Sequence, residues 1–265
     1  MTALAARVPA GHYRFRHAAR MEWIKLSSLR STWWTLAIAA AGAIGIGVAV
    51  GINTRNAAGD LTNNALAGII PSLLLMGVLG TLTVTSEYSS GMIRTTLSAA
   101  PRRPMLLAAK AAVFGAVAVT VGEAASFIAF FAGGAALRHG IPAPALTQPG
   151  VLRAVLLSGV SFGLIGLLGL GLGAIVRHSG AAIAVVVGGV YVLPTIVGSV
   201  THKLGVFMPI DIIGNSLTTT KPEPCSAHAS YCTHFLSAWA GLGLLGLYAA
   251  AALAVGGWLF AHRDA

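Results

Sequence analysis

Between two apolar runs, the chain carries the polar and basic segment SEYSSGMIRTTLSAAPRRP, residues 86–104. Each flanking run is long enough for a helix of about 20 residues, the length that crosses the hydrocarbon core of a bilayer. Within the segment, Met92, Ile93 and Leu97 give a short helix one apolar edge, and Pro101 ends it because proline cannot continue a helix. A soluble partner can contact a membrane-embedded chain at such a segment, so we expect this helix to bind a partner.

Composition places the rest of the chain in the membrane as well. Of its 265 residues, 56% are hydrophobic and only 9% are charged, and the mean hydropathy is +0.80. These values exclude an ordinary soluble domain. Runs of about 20 apolar residues predict an all-α membrane protein with six transmembrane helices. The predicted spans are residues 33–51, 66–85, 106–136, 151–176, 180–200 and 236–261.

The distribution of Lys and Arg predicts the orientation of these spans. Because successive segments alternate sides, the 17 basic residues divide into two groups, of which the smaller holds Arg55, Arg138, Arg153, Lys203 and Lys221. The larger group includes the basic residues at both termini, and an excess of Lys and Arg marks cytoplasmic loops. We therefore expect both termini to be cytoplasmic. The net charge of +10 reflects this anchoring beside spans and does not indicate nucleic-acid binding.

Residues 1–32 form a basic segment before the first span, and residues 33–265 form the membrane domain. Trp23, Trp33 and Trp34 place aromatic rings where the inner membrane interface is expected. A helix over residues 17–32 could lie along that interface, although Lys25 interrupts its apolar stripe.

The longest soluble excursion, residues 201–235, is expected to lie outside and contains both cysteines, Cys225 and Cys232. An oxidising environment favours a disulfide between them, and two free thiols in a reducing compartment are the alternative. Two thiols alone cannot complete a four-ligand zinc site, so no metal site is predicted.

Two motifs in apolar spans resemble catalytic or nucleotide-binding patterns. Residues 159–163, GVSFG, match the nucleophile pattern around Ser161, but no histidine falls well inside a predicted span to act as its base. Residues 241–246, GLGLLG, spell a dinucleotide fingerprint without the preceding strand or the acidic residue that it requires. We interpret both as surfaces where helices approach closely. The chain also lacks a Walker A sequence, so no catalytic residue is predicted and ATP hydrolysis would require another subunit.

Glu123 is the acidic residue deepest in a predicted span, where a charge costs about 2.5 to 3.5 kcal/mol on insertion scales. It could line a substrate path, serve as a proton-coupled site, or form an interhelical hydrogen bond to Ser or Thr. Lys110 in the same span is too distant along one helix to pair with it, and we expect Lys110 to extend to the inner interface.

Several stretches resemble the membrane-spanning subunit of an ABC-2 type transporter, the permease of many bacterial exporters. They are EWIKL at residues 22–26, RSTWW at 30–34, EYSSGMIR at 87–94 and PRR at 101–103. In the third stretch, Met92 follows Gly91 where many members of the family have Thr.

The resemblance implies a six-helix permease in the bacterial cell membrane. It implies an interfacial helix before the first span, a cytoplasmic coupling helix between helices 2 and 3 within the loop 86–104, and short re-entrant helices in the outer loop 201–235. Its implied partners are an ABC ATPase that carries ATP and Mg²⁺, and a second permease chain, so that the chain itself needs no cofactor. The implied ATPase-coupling residues are Glu87, Gly91, Met92, Ile93, Arg94 and Leu97.

The sequence thus predicts an ATP-driven exporter subunit without catalytic activity. The alternatives are an ion-coupled secondary transporter that uses Glu123 and an intramembrane hydrolase that uses Ser161.

Overall fold

The structure, a computed structural model, describes residues 14–56, 59–93, 96, 103–200, 202–219 and 236–262. Every regular element within these ranges is a helix, so the predicted all-α class is confirmed. Six helices are long and apolar enough to cross a membrane, as predicted, which is consistent with a multi-pass membrane protein.

The six spans begin and end close to the predicted limits. They are α2 (Arg30–Asn53), α4 (Ile69–Ser89), α5 (Arg103–Ala135), α6 (Val151–Val176), a fifth span that begins with α7 (Ser179–Val187), and α11 (Ala238–His262). The largest difference is at α4, which begins and ends later than the predicted 66–85. Its last turn therefore takes in residues 86–89 of the polar segment.

The fifth span contains a change of helical geometry. A π-helical turn, Gly188–Val192, follows α7 and leads into α8 (Leu193–Val200). Pro194 is the second residue after this turn, and its missing N–H leaves a carbonyl of the preceding turn without its helical donor. Pro71 also lies in a span, but it is in the first turn of α4, where no helical hydrogen bond is lost.

The central helix of the bundle is α6, which packs against α4, α5 and α11. Its glycines allow close approach: a Cβ on Gly166 would lie 2.7 Å from the Phe114 ring, and one on Gly171 would lie 2.7 Å from the backbone of Ala252. The helix-packing interpretation of the small residues in this span agrees with these contacts.

Before the first span, α1 (Phe15–Ser28) packs mainly against α5. It is separate from α2 because Leu29, between them, has an extended backbone (φ −84°, ψ 111°). The indole N–H of Trp33 bridges the break by donating to the carbonyl of Ser27 at 3.0 Å. The chain thus turns from α1 into the bundle within one residue.

Short helices cover the opposite end of the bundle. They are α3 (Leu61–Ala65), α9 (His202–Gly205) and α10 (Pro209–Leu217). Asp60 caps α3 by accepting from the backbone N–H of Asn63, and its carboxylate also accepts from the N–H and hydroxyl of Thr219, which follows α10. Cys225 and Cys232 lie outside the described residues, so their pairing stays a prediction.

Candidate functional site

Four charged side chains meet inside the protein where α1, α4 and α5 converge. Lys25 Nζ donates to Glu22 Oε1 at 3.1 Å and to Glu87 Oε1 at 3.1 Å. Lys110 Nζ donates to Glu87 Oε1 at 2.7 Å and to Glu22 Oε2. Each lysine therefore bridges both glutamates, and the four charges sum to zero. We call Glu22, Lys25, Glu87 and Lys110 the charge cluster.

The positions of these residues along their helices bring the four side chains together at the same end of α1, α4 and α5. Glu22 and Lys25 are three residues apart and share one face of α1, which also carries the fully buried Ala18. Glu87 projects from the last turn of α4, and Lys110 lies near the start of α5. The charges therefore sit at the end of the bundle that α1 covers, which we call the charged end.

The charge cluster is largely removed from solvent. The side chains of Glu22 and Glu87 are 3% and 4% exposed, and those of Lys110 and Lys25 are 9% and 23% exposed. A buried ion pair gains little over apolar packing, but removing one partner leaves an uncompensated buried charge, which costs about 3–5 kcal/mol. The cluster thus holds α1 to two spans and penalises any movement that separates them.

This arrangement differs from two expectations drawn from the sequence. Glu87 was expected in the loop 86–104, but it lies in the last turn of a span, because Lys25 and Lys110 compensate its charge and allow α4 to continue past it. Lys110 was expected to extend toward the inner interface, but it is buried against both glutamates. Lys25 interrupted the apolar stripe of α1 because that face pairs with charges on other helices. Glu22 was not identified as a site residue at all.

The turn after α4 contains further residues that the resemblance implicated in coupling. Gly91 has φ +70°, and its backbone N–H donates to the carbonyl of Tyr88 at 3.2 Å, so glycine here ends the helix. Met92 is 43% exposed, whereas Ile93 is 5% exposed and packs against Leu106 and Phe260. The Ile93 side chain therefore packs within this chain and is not available to fill a groove on a partner. Arg94 and Leu97 lie outside the described residues.

Arg177 fixes two more spans at the same end. It is the C-cap of α6 with φ 60°, a conformation that few residues other than glycine adopt. Its guanidinium donates to the carbonyl of Leu259 on α11 at 2.9 Å and lies 5.2 Å from the ring centroid of Tyr88 on α4. The ends of α4, α6 and α11 are thereby joined beside the charge cluster.

Glu123 presents a different environment in the middle of α5. Its Oε2 is buried, and in the described part of the chain it has no hydrogen-bond partner. The side chain lies against Gly159 of α6, where an added Cβ would be 2.7 Å from the Glu123 Cα. A Ser or Thr partner for Glu123 is not seen there: the nearby hydroxyl of Ser158 donates to the carbonyl of Val155 at 2.7 Å and lies 2.9 Å from the hydroxyl of Ser126.

The motif around Ser161 behaves as a packing element, whereas the motif at residues 241–246 does so only at its first glycine. Ser161 is fully buried, and its hydroxyl donates to the carbonyl of Leu157 at 2.7 Å, which is the usual arrangement of a serine within a helix. Of the three glycines in the second motif, Gly241 contacts Ile212, whereas Gly243 and Gly246 face open space.

Neither a metal centre nor a relative gives further information about the site. Within the ranges that the structure describes, no three His, Cys, Asp or Glu side chains are grouped to hold a metal ion. No protein-family model matches this chain, and a search of curated proteins found no match.

Proposed function

We propose that this protein is the permease subunit of an ATP-driven ABC exporter. It would form the translocation path in a bacterial cell membrane, pair with a second copy of itself, and carry no ATPase site. The charged end would be cytoplasmic and would contact the partner ATPase. The proposal combines the resemblance of residues 22–34 and 87–103 to ABC-2 permeases with the geometry of the charge cluster.

The observation that carries this proposal is the connection of both resembling stretches through buried charges. Glu22 and Lys25 belong to the stretch before the first span, and Glu87 belongs to the stretch after the second. Lys110 then joins them to the start of the third span. A force applied to the turn at Gly91 would be transmitted to three helices at once, because separating any of them exposes or isolates a charge. A coupling element requires this property.

The exposed side chain best placed to contact an ATPase is Met92, next to the turn. We expect Met92→Ala to lower the amount of ATPase that co-purifies and the rate of transport, without loss of folded protein. The partner to test is any ATPase with a Walker A sequence that is encoded beside this gene, co-expressed and purified in detergent, with ATP hydrolysis then measured in proteoliposomes.

Ile93→Ala is the comparison variant, because it removes a buried side chain from contact with Leu106 and Phe260. It should lower the free energy of unfolding by about 2–5 kcal/mol, the usual range for truncating a buried aliphatic side chain. If Met92→Ala leaves both co-purification and ATP hydrolysis unchanged, this turn does not contact the ATPase.

The proposed orientation is tested independently by reporter fusions. Fusions after Ala57, Leu97 and Pro222 should report outside, inside and outside, because the Lys and Arg excess lies on the side of the charged end. A fusion after Leu97 that reports outside would place the charge cluster on the wrong side of the membrane for an ATPase.

A second candidate function, ion-coupled secondary transport, is favoured by one observation. Glu123 has a buried carboxylate oxygen without a partner in the described residues, and such a group within a span is a potential proton or cation site. The test is transport in proteoliposomes driven by a proton gradient in the absence of ATP. Uptake or efflux under those conditions that is lost in Glu123→Gln would favour this candidate over the permease.

A further inference from the structure

A cavity of about 270 Å³ adjoins the charge cluster. It lies between α1, α2, α4 and α5, within a single chain. Its volume is just below the range of about 300–1,000 Å³ that is typical of small-molecule sites. Most of its wall is apolar, formed by Leu26, Leu29, Leu79, Leu82, Val113 and Phe114.

One end of the cavity is polar. All four members of the charge cluster reach its surface, together with the hydroxyl residues Thr32, Thr35, Thr83 and Ser86. The cavity therefore combines an apolar body with a polar end. This is the distribution expected for a site that takes a small amphiphile, because each part of such a molecule would meet a wall of matching polarity.

The hydrogen bonds at the polar end indicate what a ligand would supply. Lys25 Nζ has three acceptors, namely Glu22, Glu87 and Thr96, which match its three N–H groups. Lys110 Nζ has two acceptors, so among the described residues one of its N–H groups is unused. A ligand that enters the cavity could therefore accept one hydrogen bond from Lys110 through a hydroxyl, ether or ester oxygen.

The charges disfavour an ionic head group. Glu22 and Glu87 are already balanced by the two lysines, so the attraction of an ionic head group to one pair of charges would be offset by its repulsion from the other pair. Adding any net charge to this buried place would also cost desolvation energy. A neutral head group with an acceptor oxygen avoids both costs.

The position of the cavity along the bundle indicates the source of the ligand. Trp33 and Trp34 lie in the first turn of α2 and are 47% and 68% exposed, and tryptophans of this kind mark the depth of the lipid head groups. Leu29 and Thr32, beside them in the chain, line the cavity. A lipid in the surrounding membrane would thus have its head group at the depth of the charge cluster.

We propose that this cavity binds a neutral, oxygen-bearing amphiphile from the membrane, such as a monoacylglycerol, with its head group against Lys110 and its chain among the leucines. The cavity shares the charge cluster and Met92 with the coupling element proposed above, but binding of an amphiphile there does not depend on the transport role.

The experiment uses the full-length protein in phosphatidylcholine nanodiscs and a photoreactive diazirine derivative of 1-monodecanoylglycerol. Labelled peptides are identified by mass spectrometry. We expect saturable labelling of the segments around residues 32–35 and 79–86. Unlabelled 1-monodecanoylglycerol should compete, and decanoate and decylamine, which carry opposite charges, should compete at least about tenfold less effectively.

Thr83→Phe is designed to fill the cavity and should lower the saturable labelling by about tenfold or more. Its matched control is Thr120→Phe. Both threonines lie within spans and donate their hydroxyl to a carbonyl of the preceding turn, but Thr120 is exposed and does not line the cavity. Thr120→Phe should therefore label like the wild type.

If Thr83→Phe does not yield folded protein, Thr35→Phe fills the cavity from the α2 wall and carries the same expectation. Equal labelling in the filled and control variants would overturn the proposal. So would competition by decanoate or decylamine as strong as that by 1-monodecanoylglycerol, because the site would then not select a neutral head group.

Discussion

Among the described residues, carboxylate oxygens are buried in two regions that are built in opposite ways. At the charged end, Glu22 and Glu87 are each bridged by Lys25 and Lys110. In the middle of α5, Glu123 has a buried Oε2 for which the described residues supply no partner. The charge cluster joins three helices through ion pairs, whereas the Glu123 side chain lies against a glycine on one neighbouring helix.

This difference shows what a buried charge does in each context. In the charge cluster, every group compensates another, so the group is costly to break and fixes the relative position of its helices. Glu123 provides no such connection, and its burial without a partner is a cost that the rest of the fold must offset. Buried acidic residues of the first kind specify structure, and those of the second kind are candidates for reversible protonation or ligand binding.

The largest effect is expected from removing a lysine of the charge cluster. Lys110→Met keeps much of the side-chain volume but leaves Glu22 and Glu87 with Lys25 alone. We expect a loss of about 3–5 kcal/mol in the free energy of unfolding, because a buried carboxylate becomes uncompensated. Thermal unfolding of the purified protein in detergent measures this loss.

Lys25→Met is the matched control for that variant. Lys25 contacts the same two glutamates, but its side chain is 23% exposed, compared with 9% for Lys110. Water can therefore partly replace Lys25, and the loss should be smaller than for Lys110→Met. A loss below about 1 kcal/mol for Lys110→Met would mean that the cluster does not hold the three helices together. Equal losses for the two variants would mean that the exposure of each lysine does not decide its contribution.

A smaller effect is expected where Glu123 meets α6. Gly159→Ala would place a Cβ 2.7 Å from the Cα of Glu123, so the backbones of α5 and α6 must move apart. Inserting a group into such a packed contact costs about 1–3 kcal/mol. Thermal unfolding again measures the change.

Gly246→Ala tests whether this cost comes from the contact. Gly246 also lies inside a span, but an added Cβ there would meet nothing within 4 Å. Stability should therefore be unchanged or slightly higher, since alanine is the better helix former. Equal losses for Gly159→Ala and Gly246→Ala would show that α5 and α6 are not in close contact at Glu123.

The predictable part of this structure is the part that depends on local sequence. Apolar runs of sufficient length predicted the number of spans because each span must satisfy its own backbone within the bilayer. Glycine spacing predicted close helix packing, but two sets of spaced glycines behave differently. Gly159 meets another helix, whereas Gly243 and Gly246 do not, and only the tertiary arrangement decides which.

The charge cluster could not be predicted in this way because its members are distant in the chain. Lys25 and Glu87 are 62 residues apart, and Lys110 and Glu22 are 88 residues apart. From local sequence alone, the second span was therefore predicted to end at residue 85, before Glu87, and Lys110 was expected to extend to the inner interface. A usable signal was present: two acidic and two basic residues border apolar runs on the same predicted side of the membrane.

The smallest effect is expected at Glu123 itself, and it tests the comparison most directly because the same substitution can be made at both places. Glu87→Gln and Glu123→Gln each replace a carboxylate by an amide of nearly the same shape. At Glu87 the change leaves two buried ammonium groups facing one carboxylate, and we expect a loss of about 3 kcal/mol. At Glu123 no described hydrogen bond is lost, so stability at neutral pH should change by less than about 1 kcal/mol. Thermal unfolding of the two variants in the same detergent gives both numbers. A loss at Glu123 as large as that at Glu87 would require a partner for Glu123, and the two regions would then use buried charge in the same way.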